Sequence, residues 1–427
     1  VKVGGLDRHL VSAAILQPAM FGPENFAGDE WVESYMRAAS RLLDLEVRTY
    51  VTWQCPPDVF VLAAEDAGLV IRSERLDGLL VEMLTLHDVQ SLLGGQLLEE
   101  VSQSAVLRWM SEFLIGYRRP ALAVTALRNR PSLDGLQVQI HHAFRDELLD
   151  SRPLLERTAV QCISVGHEMR HLVEDVDARY DVWENIDGIP VISHIDFDMR
   201  NVDKVDDDSL QRFHAFVSST VDATRLVKEI HADLFAVDTV LEFCLRAFDC
   251  RSEDAVRSTL AAFETLVFTY FLKNACRLVA ELSTGSKRRD EFDRALVLEN
   301  LQWVARGRAV ARHIGLSWAQ FDNSTPEGAL IAARQNVARV DAMITERLAG
   351  RLANNRAFDH AVQALLDTLE RSGKEQITVA EALAHVDSDG DLRKELYFML
   401  VGFGCPGSVD VRTYLEDADR TVHTVQA

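Results

Sequence analysis

Residues 167–171 read His-Glu-Met-Arg-His, an HExxH string. On a helix, His167 and His171 lie one turn apart on the same face, so both imidazoles can reach one metal ion. Glu168 projects roughly 100° away, close enough to hold a water on that metal and to take its proton. The preceding residues support a helix. Val160, Ile163, His167 and His171 continue one stripe at helical spacing, so the imidazoles extend an apolar face. Arg170 is a charge inside the motif, and it is expected to face solvent or a carboxylate.

A catalytic zinc ion takes three protein ligands and keeps a fourth position open, so a third donor must come from elsewhere. Three candidates stand in the sequence: Glu229, Asp177 and His194. Glu229 begins the run Glu229-Ile230-His231-Ala232-Asp233, with a second carboxylate one helical turn on. An Asp in that place can accept a hydrogen bond from the free ring nitrogen of a metal-bound His, which fixes the tautomer and raises its basicity. With these two motifs the chain resembles the gluzincin group of zinc metallopeptidases, whose second helix carries Glu-x-x-Ala-Asp or Glu-x-x-x-Asp. The resemblance implies zinc on His167, His171 and Glu229, Asp233 behind a zinc-bound His, and Glu168 as general base. It covers the two short motifs and points to no single family within the group. Such enzymes usually carry uncharged residues where Arg170 stands.

Asp177 is the alternative third ligand. The run from His167 to Asp177 looks like the metzincin pattern HExxHxxGxxH in an Asp form, but Glu174 replaces the Gly that turns the chain back. The helix is therefore expected to run on through 177, which points Asp177 away. His194 has no supporting motif. Candidates for an oxyanion donor are Tyr180, His194, Arg225 and His231, the last two residues from Glu229 and so on the opposite side of a helix.

The elements that must position these groups read as helices. Amphipathic patterns run over 29–45, 77–91, 94–116, 154–177, 208–247, 252–282, 290–313, 326–349, 355–372 and 391–403. Strand patterns are few: 47–53, 137–140 and 189–194. One of these strands could pair with an extended peptide at a cleft edge. Breaks at 128–135 and 283–290 divide the chain into an N-terminal helical region (1–130), a metal-site region with both motifs (131–285) and a C-terminal helical region (286–427). The expected fold is mainly α, a multi-helix zincin-like metalloprotein with a few short strands.

Composition narrows the function classes. With 427 residues the chain is long enough for a large core and two or three folding units. The net charge of -21 repels phosphate backbones and anionic lipid, which argues against nucleic-acid or membrane partners and favours a basic peptide. The six cysteines are scattered without a CxxC pair, so neither a disulfide scaffold nor a zinc ribbon is expected, and a reducing cytoplasm fits. No apolar run reaches the roughly 18 residues of a membrane span. The first 22 residues are broken by Asp7 and Pro18 and do not read as a signal peptide.

Asp387-Ser388-Asp389-Gly390-Asp391 lacks the flanking ligands of an EF-hand and reads as a turn. The acidic run between His194 and Ser209 reads as a solvated loop, with an acidic lip on a cleft as the alternative. No phosphate loop, nucleophile elbow or cysteine-protease motif is present in the sequence. The expected activity is hydrolysis of peptide bonds in a peptide or protein substrate by a zinc-activated water. The same three donors also suit non-heme Fe²⁺ oxidation chemistry, and a helical scaffold without metal is the non-enzymatic alternative.

Overall fold

A computed structural model describes residues 30–52, 59–63, 67–92, 95–117, 119–131, 154–173, 223–322, 335–336, 338–340, 342–343 and 348–372. The elements run α1 (Glu30–Leu43), β1 (Glu46–Thr52), β2 (Val59–Ala63), β3 (Ala67–Ser73), α2 (Glu74–Leu92), α3 (Gly95–Gly116), α4 (Pro120–Arg128), α5 (Leu154–Arg170), α6 (Ala223–Ala247), α7 (Ser252–Ser283), α8 (Arg289–Asp322) and α9 (Leu348–Ser372). The fold is mainly α, as the helical periodicities predict. No helix among the described residues is long and apolar enough to cross a membrane. The strand patterns at 137–140 and 189–194, the turn at 387–391 and the acidic run after His194 lie outside the described residues.

Among the described residues the sheet has three strands in the order β1-β3-β2, with β1 parallel and β2 antiparallel to the central β3. β1 is the strand expected at 47–53. It lies at an edge of the sheet, with Thr49 opposite Val70. β2 and β3 are additions to the sequence reading, as is α4. β2 is only five residues long, and a run that short carries no clear period. α4 opens with Pro120 in its first turn, which has no backbone N–H to lose there. The break at 283–290 is a tight turn in which Gly285 takes φ +71° between α7 and α8.

α5 is the central helix. It packs against α6, α7, α1, α2 and the strands β2 and β3. Partners on so many sides leave it little exposed face, and Val160, Cys162, Ile163, Val165 and Met169 are fully buried. Its closest neighbour is α6, and Gly166 permits the approach. A side chain at 166 would collide with the Tyr35 hydroxyl, and its Cβ would come within 3.2 Å of the Ala236 Cα. Tyr35 cannot easily yield. Its hydroxyl bonds Thr239 Oγ1 at 2.8 Å, and Thr239 in turn donates to the Phe235 carbonyl at 2.7 Å. A single buried knot therefore joins α1, α5 and α6 directly beside His167.

The helix expected over 154–177 ends at Arg170 instead. The last amides tighten to shorter-range bonds, His171 N to Glu168 O and Leu172 N to Met169 O, both 3.1 Å. Three causes act together. The Leu172 side chain is buried against β3 at Gly68, where any added Cβ would collide with it. The Arg170 guanidinium donates to the Val173 carbonyl at 3.0 Å, which gives a carbonyl just past the helix end a partner outside a continued helix. The acidic residues Glu174, Asp175 and Asp177 would also meet the negative end of the helix dipole if the helix continued. Arg170 is thus buried rather than facing solvent, and the Val173 carbonyl is one of its partners.

The apolar side chains form two cores. The first surrounds α5 and α6 and includes Trp318 from α8. The second joins α2, α3, α4 and α9 with the C-terminal half of α7, through Trp109, Phe268, Phe271 and Phe358. α7 spans both cores.

Replacing Gly166 by Ala tests the close approach. Helix propensity alone favours Ala by roughly 1 kcal/mol. The collision with Tyr35 reverses that sign, and a net loss of about 1–3 kcal/mol is expected in urea unfolding. A stabilised variant would mean that α5 and α6 do not approach as described.

Candidate metal centre

α5 presents His167 and Glu168, and the turn that ends it presents His171, to a cleft of about 310 Å³, and α6 presents Glu229 to the same space. The two imidazole Nε2 atoms stand 3.3 Å apart. Glu229 Oε2 lies 3.4 Å from His167 Nε2 and 3.9 Å from His171 Nε2. A tetrahedral zinc site with bonds near 2.05 Å places its donors about 3.3 Å apart, so this triangle is the size such an ion requires. Among the described residues, these three form the group of His, Cys, Asp and Glu donors that fits one ion. Two nitrogens and a carboxylate oxygen also suit the chemistry of a borderline metal.

The ring orientation comes from behind. His167 Nδ1 lies 2.8 Å from Asp233 Oδ1, and Asp233 is fully buried. A carboxylate at that distance requires Nδ1 to carry the proton, which leaves Nε2 to face the cleft. Asp233 does not stand alone. Arg306 of α8 forks onto it, Nε to Oδ2 at 2.6 Å and a second nitrogen to Oδ1 at 2.8 Å. Arg306 also reaches Glu229 Oε2 at 3.6 Å. One guanidinium thereby holds the carboxylate behind the histidine and the carboxylate beside it.

The charges follow from these contacts. Burial works against the ionised form of Asp233, but the Arg306 fork and the His167 bond hold its carboxyl below the usual range. Burial likewise opposes ionised Glu229, and His167 and Arg306 outweigh it, so Glu229 sits well below the usual range too. Burial alone would lower His167, yet its bonds to Asp233 and Glu229 push it up to about 9. His171 is pushed down to about 4 by burial and by the neighbouring His167. At neutral pH the cluster thus holds two carboxylates, a neutral His171 and a place at His167 where positive charge is favoured.

The cleft wall from α7 and α8 was not visible in the sequence, and two of its residues touch the site groups directly. Tyr270 of α7 donates its hydroxyl to Glu168 Oε1 at 2.8 Å, and its ring lies edge-on to His167 with centroids 5.5 Å apart. Arg306 is the other. Neither belongs to a motif; the only trace is helical spacing, which puts Val267, Tyr270, Phe271 and Asn274 on one face of α7 and Glu299, Gln302, Trp303 and Arg306 on one face of α8.

The remaining sequence candidates fall elsewhere. Asp177, His194 and Tyr180 lie outside the described residues. Arg225 is on α6, but its side chain is outside the described set. His231 is buried and is not part of the cleft wall, in keeping with its place on the far side of α6 from Glu229. Compared with known proteins, the chain matches no family model, no curated protein and no solved structure.

Arg306→Met removes the cation and leaves Asp233 charged and buried. Breaking one side of such a pair costs about 3–5 kcal/mol. The expected result is a fall of that size in urea unfolding at neutral pH, partly restored by adding Asp233→Asn. A loss under about 1 kcal/mol would show that the fork is not formed in solution.

Proposed function

We propose that the chain is a zinc-dependent metallopeptidase of gluzincin-like design. The observation that carries this reading is the convergence of His167, His171 and Glu229 on one point, with Glu168 beside it on the same cleft. His167, His171 and Glu229 hold the ion, and Asp233 fixes the His167 tautomer. Bound zinc supplies Lewis acidity and brings the acidity of a coordinated water towards neutrality.

The chain's own residues do the rest. Glu168 takes the proton of the attacking water and later delivers it to the leaving amine nitrogen. Tyr270 donates to one oxygen of that carboxylate and so orients it beside the donor triangle. The tilt is set without a flexible loop, because both groups sit on packed helices. The cleft volume is at the small end of ligand pockets, which suits an extended peptide segment better than a folded domain.

A non-heme Fe²⁺ enzyme would use the same three donors, but it gives Glu168 no task. A carboxylate already oriented by a tyrosine beside the donor triangle favours hydrolysis.

Elemental analysis of purified protein tests the site. About one zinc per chain is expected in the wild type, with loss in Glu229→Ala. Glu168→Gln should keep the zinc while peptide hydrolysis falls by about 10²–10⁴-fold. Iron in place of zinc overturns the peptidase in favour of oxidation chemistry. Absence of metal after gentle preparation leaves the helical scaffold.

A further inference from the structure

The cleft extends past the donor triangle along α7 and α8, and that extension has chemistry of its own. Glu299 is half-buried in its wall. Its partner among the described residues is the Asn274 amide, which donates to Oε2 at 3.0 Å. An amide orients a carboxylate but does not neutralise it. Trp303 stands one turn further along the same face of α8, with its ring stacked on Phe271 at 6.2 Å between centroids. A fixed anion one helical turn from an aromatic side chain in the same cleft wall is a pairing that receives a guanidinium or an ammonium group. Lys273, the nearest basic wall residue on α7, carries its ammonium to within 5.5 Å of the Tyr270 ring centroid, towards the catalytic end.

We infer that Glu299, oriented by Asn274 and flanked by Trp303, forms a subsite for a cationic side chain of the substrate, with arginine the best fit. The position supports this. Glu299 precedes Arg306 by seven residues, which is about 10 Å along a helix axis. Arg306 lies directly behind Glu229 and Asp233. An extended peptide advances roughly 3.4 Å per residue, so a long basic side chain next to the scissile bond, or one residue further, spans the gap. The net charge of -21 adds a long-range field that draws such a substrate in. Specificity then resides in α7 and α8, separate from the metal ligands on α5 and α6.

The inference takes the substrate to be a peptide and so rests on the proposed activity. Its test keeps the two apart. Hexapeptides of alanine, leucine and phenylalanine, with arginine, glutamine or glutamate at one scanned position, are offered to zinc-loaded wild type and to Glu299→Gln. Cleavage gives kcat/KM. Equilibrium binding to zinc-loaded Glu168→Gln, with and without Glu299→Gln, gives affinity without turnover. The expected result is at least a tenfold preference for arginine over glutamine at one position in both readouts. Glu299→Gln should remove it through KM, with the glutamine peptide unchanged within threefold. Glu299→Lys should shift the preference to glutamate. Cleavage without any arginine preference, or a preference that survives Glu299→Gln, overturns the subsite and leaves the peptidase standing. Glu299-dependent arginine binding without cleavage in the wild type supports the subsite and removes the peptidase. Neither cleavage nor Glu299-dependent binding overturns both.

Discussion

A fully buried carboxylate, Asp233, is the constraint on which the rest depends. An isolated charge in that position would be too costly to keep ionised. It is kept because two donors meet it from opposite elements, His167 from α5 and the Arg306 fork from α8. The ion pair therefore does structural work on three helices at once. It orients one imidazole, places Glu229 through the same guanidinium, and ties α8 to the centre of the molecule. Neutral replacements of similar shape would fill the same volume and satisfy the core. They would not leave Nε2 of His167 aimed into the cleft.

Close packing supplies what the charges cannot. Glu229 and Asp233 reach the α5 histidines because α6 approaches α5 at Gly166 and Ala236, where no side chain separates the backbones. The Tyr35–Thr239 bond closes that junction from the α1 side. The end of α5 is a second positional device. Had the helix run on, Leu172 would have left its seat on β3. Ending at Arg170 places His171 in a tightened final turn, where its Nε2 comes within 3.3 Å of that of His167.

What the sequence made legible has a common physical form. His167, Glu168 and His171 lie within one turn of one helix, and Glu229 and Asp233 within one turn of another, so helical geometry alone relates the members of each set. The long helices were legible for the same reason, since their apolar stripes are local. Tyr270 and Arg306 were not, because their roles arise from how α7 and α8 pack across α5 and α6, and a lone Tyr or Arg on a helix face has no local signature. β2 escaped because a strand of five residues takes its identity from pairing, here with β3. The end of α5 escaped in part because one of its causes is a contact with Gly68, about a hundred residues earlier in the chain.

The two halves of the cleft are held by different parts of the core, and this bears on how they can vary. The donor triangle belongs to α5 and α6, which are set in the first core by Val160, Ile163, Leu234 and Val237. The opposite wall belongs to α7 and α8. Phe268 and Phe271 anchor that part of α7 in the second core, against Trp109 and Phe358. Trp303 packs on both phenylalanines and so connects the wall of α8 to the same anchor. A change of volume in the second core reaches Phe271 and Trp303 before it reaches either histidine, whereas Tyr270 packs with the donor helices on the first core. The Trp303 part of the wall can thus be altered without direct contact with the buried ion pair that orients His167. If the cleft binds a substrate beside a bound metal, as proposed, that separation is the physical condition for changing its preference while the metal chemistry is kept.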